Sequence, residues 1–258
     1  MAIIIKTDAE IALMREAGRI TAAVLEILTS SVKPGMRTDE LDIIAEKEPK
    51  RFGAIPSFKG YRGYPASLCV SVNEEIVHGI PDKRILLEGD IVSIDYGVIY
   101  KGFQGDAART VAVGKVSAQS RKLMEVTEGA LKAGINKAYK GNRLGDVSAA
   151  IEEYAESRGY TVVREYTGHG IGRNMHEDPQ IPNTTKSLLG MMRGTGPVLK
   201  KGMTLAIEPI EPMVNIGGWE TKVDSNGWTV RTRDGSLSAH FEDTIAITDG
   251  EPEVLTSI

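Results

Sequence analysis

A single cysteine, Cys69, in 258 residues excludes an intramolecular disulfide framework and any cysteine-rich zinc site. Basic residues do not gather. No Lys/Arg-rich block and no aromatic-basic interleaving occurs, and the net charge is −4, so nothing favours direct nucleic-acid specificity. Long apolar runs are missing as well: Ala2-Ile3-Ile4-Ile5 falls far short of a signal-peptide core, and nothing approaches the roughly 20 apolar residues of a membrane span. The expected location is the cytoplasm, with no membrane contact. No linker divides the chain, and 41% hydrophobic with 26% charged residues suits one globular domain, 1–258, with a sizeable core.

What is present centres on residues 91–106, IVSIDYGVIYKGFQGD, which read as a β-hairpin turning at Lys101-Gly102. That register sets Tyr100 opposite Phe103, Gly97 opposite Asp106 and Asp95 opposite Ala108. Asp106 then becomes a same-face diagonal neighbour of Asp95, roughly 7–8 Å away. Two anions that close need something positive between them. An isolated pair of this kind is more often a solvated hairpin face, so further ligands have to come from elsewhere.

Around the hairpin the chain runs through its elements twice. Thr7-Asp8-Ala9-Glu10 has the form of a capping box, and Met14, Ala17, Ile20, Val24, Ile27 and Leu28 recur at helical spacing. Lys33-Pro34-Gly35 ends that helix, Thr38 is placed to cap a second one, and Pro49 should end or kink it. Residues 53–65 read as a loop and 68–72 as a strand. Later, a helix near 118–138 is followed by Gly141-Asn142-Arg143-Leu144-Gly145-Asp146-Val147, which echoes Gly35-Met36-Arg37-Thr38-Asp39-Glu40-Leu41, and a further helix follows. Gly89 with Asp95 matches Gly202 with Glu208, each a glycine, an apolar-rich strand and an acid six residues on. Asp106 ahead of Thr110-Val111-Ala112-Val113 resembles Glu242 ahead of Thr244-Ile245-Ala246-Ile247. The expectation is an α+β protein of two pseudo-symmetric halves, about 1–115 and 116–258, sharing an antiparallel sheet covered by helices on one face.

Strand parity puts Glu208 on a face with Ala206 and Thr204, and Glu242 on a face with His240, while Leu205, Ile207, Phe241 and Ile245 point the other way. Each acid alone is more often solvated than a ligand. If the pseudo-twofold holds, Asp95, Asp106, Glu208 and Glu242 converge. Only four histidines occur: His78, His169, His176 and His240. His169, in the glycine-rich Thr167-Gly168-His169-Gly170-Ile171-Gly172, would add a neutral nitrogen to an oxygen-rich site, suited to Mn, Fe, Co or Zn. Four carboxylates and one histidine can bind two divalent metals and make a bridging water acidic enough to attack a carbonyl.

Together, 73–81 (NEEIVHGIP), Asp95 with Asp106, Gly168-His169-Gly170-Ile171-Gly172, His176-Glu177-Asp178-Pro179, Glu208-Pro209 and Phe241-Glu242 make the chain resemble the type I methionine aminopeptidases over nearly its whole length. The resemblance implies the pita-bread fold and a dinuclear metal site held by Asp95, Asp106, His169, Glu208 and Glu242. It implies removal of the initiator methionine from nascent polypeptide N-termini with a small second residue. It assigns proton transfer to Glu208, a hydrogen bond on the substrate carbonyl or the oxyanion to His176, and one on the peptide nitrogen or the tetrahedral intermediate to His78. Phe58, Tyr61, Tyr64, Cys69, Met175 and Trp228 would line the methionine pocket, and Asn73 and Ser238 match positions that hold a monovalent cation in some relatives. A monomer making transient ribosome contact is expected.

The chain departs from the family pattern in three places. His240-Phe241-Glu242-Asp243 stands where Gln, an aromatic, Glu and His are common, which makes His240 a neighbour of Glu242 able to alter metal choice. Met175 stands where Phe is frequent. The segment 186–197 lengthens the His176-to-Glu208 interval to 32 residues and reads as a lid, a partner contact or a variable surface loop. The rivals are an X-Pro dipeptidase or aminopeptidase P-like enzyme, which usually carries an extra N-terminal domain, and a catalytically dead binding protein, which should have lost ligands.

Overall fold

The computed structural model describes residues 2–186, 191–207 and 215–258. Helix α1 (Asp8–Ser31) begins where the capping box predicts, with the Thr7 hydroxyl accepting from the Glu10 N–H and the Glu10 carboxylate from the Thr7 N–H. Helix α2 (Thr38–Lys47) has Arg37 at its N-cap, not Thr38. The Glu40 carboxylate accepts from the Arg37 N–H, and the Thr38 hydroxyl is turned to the Asp82 carbonyl. The helix ends at Lys47, and Pro49 sits in the first turn of a 3₁₀ segment, Glu48–Phe52, where its missing N–H is tolerated.

Strands β1 (Ile55–Pro56), β2 (Cys69–Val72) and β3 (Glu75–Val77) lead into the hairpin of β4 (Ile91–Tyr100) and β5 (Phe103–Ala112). Lys101 and Gly102 both take positive φ, as a two-residue turn between twisted strands requires. Tyr100 faces Phe103, Gly97 faces Asp106 and Asp95 faces Ala108, the expected register. The second half contributes α3 (Ala118–Ile135), α4 (Leu144–Glu156), β6 (Thr167–Gly170), β7 (Glu177–Pro182), β8 (Thr204–Ile207), β9 (Thr221–Val223), β10 (Val230–Thr232), β11 (Glu242–Ala246) and β12 (Glu253–Val254).

Among the described residues the main antiparallel sheet runs β1-β4-β5-β11-β8-β6-β7, with β2 beside β4 and β12 beside β11; β3, β10 and β9 form a small second sheet. The halves meet where β5 pairs with β11. Their likeness extends to single bridges: Arg37 pairs with Ile85, and Arg143 with Val198. Each arginine is an N-cap whose N–H is received by an acid three residues on, Glu40 or Asp146.

The helices cover one face. Val92, Ile94, Tyr96 and Val98 pack with Ala17, Ile20, Val24 and Leu28 in the first half. Leu205, Ile207, Phe241 and Ile245 pack with Ala130, Leu131, Val147 and Ile151 in the second, as strand parity predicts. Helix α1 lies so close to β5 that a Cβ on Gly105 would stand 2.8 Å from the backbone of Ala17 and Gly18. The other face of the sheet is left to build a site. No helix among the described residues is long and apolar enough to cross a membrane.

Candidate active site

Three adjacent strands bring three acids to one place. Ala108 on β5 pairs with Asp95 of β4 on one side and Glu242 of β11 on the other, and Asp106 lies two residues along on the same face. Ligand oxygens of Asp95, Asp106 and Glu242 all lie within 4.8 Å of one another. The three are 9%, 4% and 0% exposed. Like charges so close and so dry favour a shared cation or a shared proton. The described residues lining the cavity above them include four acids, Asp95, Asp106, Glu165 and Glu242, and one cationic side chain, Arg62. The donor set therefore fits a divalent ion. Gly97, opposite Asp106, keeps the cradle open: a Cβ there would stand 3.1 Å from Asp106 Oδ1 and 3.3 Å from Met175 Cε.

His169 is carried by β6 against Ala206 of β8 and is buried. Its Nδ1 lies 2.8 Å from the Gly170 carbonyl. That contact makes Nδ1 the protonated nitrogen and leaves Nε2 basic, the tautomer a metal ligand needs. The ring of His176 stands 4.2 Å from that of His169, and its Nδ1 lies 2.8 Å from the Tyr61 hydroxyl. Burial, then the neighbouring His169, Arg62 and His78, push the His176 pKa down to about 3, so the ring is neutral at physiological pH. His78 holds φ 55°, a left-handed conformation that disfavours a side-chain-bearing residue by about 1–3 kcal/mol, and meets the Trp228 ring edge-on. Burial lowers its pKa too. His240 is buried with Nε2 3.8 Å from Glu242 Oε2, beside that acid as expected, and burial brings its pKa down to about 3.

The cavity has a volume of about 370 Å³, and every residue assigned to the methionine pocket lines it: Phe58, Tyr61, Tyr64, Cys69, Met175 and Trp228, with His78 and His176. The Tyr64 hydroxyl is tied to the Gly79 carbonyl at 2.9 Å, and its ring meets Trp228 edge-on at 5.1 Å. Burial and the nearby Asp95 hold the Cys69 thiol in its neutral form. The lining also includes Arg62, Val77, Glu165, Tyr166, Thr167 and Gln180, which sequence reasoning did not identify. Thr167 shares strand parity with His169, and that signal was available. Gln180 faces His169 across β6 and β7, a pairing only the fold reveals.

Beneath His176, Lys6 and Glu177 form a buried ion pair at 2.5 Å, and Glu177 also receives the Asn174 N–H. Ser238 donates its N–H to the Asn73 carbonyl at 3.0 Å, so these two positions do meet. The described part of 186–197 packs along α4: Gly145 donates to the Thr195 carbonyl and Asp146 receives the Gly194 N–H at its start, and Lys186 pairs with Glu156 at its end. None of its described residues lines the cavity. Residues 187–190 lie outside the described residues, as does Glu208; Ile207, which precedes Glu208 in the chain, pairs with Asp243, the neighbour of Glu242.

Comparison with known proteins identifies relatives of the whole chain. The family described as metallopeptidase family M24 matches residues 12–249. A methionine aminopeptidase of Clostridium acetobutylicum is 54% identical over 255 residues, covering 98% of each chain. The crystal structure of methionine aminopeptidase from Thermotoga maritima superposes with a TM-score of 0.94 at 46% identity and covers 100% of both chains. A Xaa-Pro dipeptidase from Bacillus anthracis is more distant, with a TM-score of 0.75 and 26% identity over 98% of this chain and 62% of its own.

Proposed function

Because the chain belongs to metallopeptidase family M24 and, within it, to the methionine aminopeptidases, we propose that it hydrolyses the bond after the N-terminal methionine of nascent chains whose second residue is small. The observation that carries this reading is the convergence of Asp95, Asp106 and Glu242 on a cavity that Phe58, Tyr64, Met175 and Trp228 also line. Asp95, Asp106, His169, Glu208 and Glu242 would hold two divalent ions, with the His169 nitrogen favouring Mn, Fe, Co or Zn and His240 tuning the choice through Glu242. When bound, such ions supply Lewis-acid polarisation of a carbonyl and a water acidified toward hydroxide.

The chain's own groups do the rest. Phe58, Tyr64, Cys69, Met175 and Trp228 receive the methionine side chain, whose thioether suits an aromatic wall. With the Tyr61 hydroxyl donating to His176 Nδ1, 2.8 Å away, the neutral ring would carry its proton on Nε2 and offer it to the carbonyl oxygen on which negative charge develops. His78 hydrogen-bonds the peptide nitrogen. Glu208 takes a proton from the attacking water and returns it to the leaving amine. We assign residues 1–258 to one catalytic domain of two pseudo-symmetric halves, acting as a cytoplasmic monomer that meets N-termini in transient contact with the ribosome. A monovalent cation beside Asn73 and Ser238 would brace the turn between β2 and β3.

Incubating the protein with Met-Ala-Ser, Ala-Pro and other Xaa-Pro peptides in the presence of Mn, Co or Fe tests the assignment. Release of methionine from Met-Ala-Ser is expected. Cleavage confined to Xaa-Pro bonds would reassign the site to a dipeptidase, and inertness of the folded protein with every metal would make it a binding protein.

A further inference from the structure

At the seam of the two halves the strand ladder among the described residues pairs Ala108 with Glu242 and Ala107 with Asp243. To either side threonines bridge the gap. Thr244 Oγ1 accepts from the Asp106 N–H at 3.1 Å and donates to the Asp106 carbonyl at 2.8 Å, and Thr110 holds the backbone of His240 in the same way. The corresponding service to Glu242 would fall to position 108, which is alanine. Its carbonyl is reached instead by the Arg109 guanidinium at 2.5 Å, coming from the helix-covered face. That guanidinium also bonds the Ala108 carbonyl at 2.8 Å and the buried Asp243 carboxylate at 2.6 Å. Asp243 receives the Thr256 hydroxyl at 2.8 Å, and the same hydroxyl accepts the Thr244 N–H at 3.1 Å. The bonds therefore run unbroken from the backbone of Glu242, through Arg109, Asp243, Thr256 and Thr244, to the backbone of Asp106. None of the four intermediates is among the described residues lining the cavity.

We propose that Arg109, Asp243 and Thr256 are positioning residues for the metal centre, fixing the backbones of Glu242 and Asp106, and hence their carboxylates, relative to one another from the far side of the sheet. The inference rests on the metal-centre reading. It concerns side chains that touch neither substrate nor ion, and Asp243 stands where the family pattern commonly has histidine, so the bracket belongs to this chain's own residues.

Calorimetric titration of Mn²⁺ or Co²⁺ into chelator-stripped protein tests it, using wild type, Arg109→Lys, Asp243→Asn and Thr256→Val, with urea unfolding alongside. Asp243→Asn and Thr256→Val keep shape and Arg109→Lys keeps charge, so folded protein is expected from at least one of them. Metal affinity should fall about 10–100-fold, the usual effect of losing a partner behind a ligand, while kcat at saturating metal stays near wild type. The double variant Arg109→Lys/Asp243→Asn should lose little more than the worse single one, because the two act as a unit. A lowered urea midpoint with unchanged metal affinity would reduce the network to ordinary structure and overturn the inference. Fully additive losses would overturn the unbroken chain. If wild type itself binds no metal, the metal-centre reading falls first, a result distinct from tight binding in both wild type and variants.

Discussion

Gly97 shows how little room the acids have. Its Cα faces Asp106 across the hairpin, and an added methyl would press on Asp106 Oδ1, the Gly105 carbonyl and Met175 Cε at 3.1, 2.9 and 3.3 Å. Gly97→Ala should weaken metal uptake by about tenfold, comparable to the loss of a supporting contact; unchanged affinity by calorimetry would mean the cradle yields. His176 makes the complementary case. Replacing it with alanine removes a donor from the developing oxyanion, so turnover of Met-Ala-Ser should drop by about 10²-fold or more. Metal stoichiometry should be kept, and its loss in this variant would recast His176 as a ligand. At this scale the residues legible in the sequence, Asp95, Asp106, His169, His176 and Glu242, sit on alternating strands or in motifs where position fixes direction. Arg62, Glu165 and Tyr166 reach the cavity from irregular backbone, where no period connects residue number to face.

Among the elements, the segment before α1 contributes more than its length suggests. Lys6 donates its N–H to the Gly202 carbonyl and its ammonium to Glu177, so it clamps the turn that carries Met175 and His176. Lys6→Met would leave Glu177 buried without its counter-charge, a loss of about 3–5 kcal/mol. Urea denaturation measures it, and a change below about 1 kcal/mol would put the pair with ordinary surface bridges. Helix α1 could be placed from apolar spacing because a long amphipathic stripe repeats its message every turn. The N-cap of α2 falls at Arg37 and not at Thr38 because Glu40 caps the backbone of Arg37 directly and needs no particular side chain there. The small sheet of β3, β9 and β10, which delivers Trp228 to the cavity between its last two strands, has three-residue strands too short to establish any alternation.

For the molecule as a whole, the acids come from both halves, Asp95 and Asp106 from the first and Glu242 from the second, so an ion bound among them ties the halves together. Free metal at 100 times its dissociation constant should add about 2.7 kcal/mol to stability. Scanning calorimetry with Mn²⁺ and then with a chelator should move the unfolding temperature by several degrees in a single transition; no shift would argue against a site spanning the seam. The order of the two halves was legible because glycine, apolar strand and acid recur in the same order along the sequence. The bracket of Arg109, Asp243 and Thr256 was not, since it joins β5, β11 and the C-terminal tail across a distance in sequence that no local pattern encodes.

Ala108, with Asp95 on one flank and Glu242 on the other, behaves as a shared reading frame for the two halves. One residue inserted into β5 between Asp106 and Ala108 would put one acid out of phase with the rest and send its carboxylate into the helix layer. The two halves are thus free to diverge by substitution, as Asp243 and Arg109 illustrate, while the lengths of the central strands stay locked to each other.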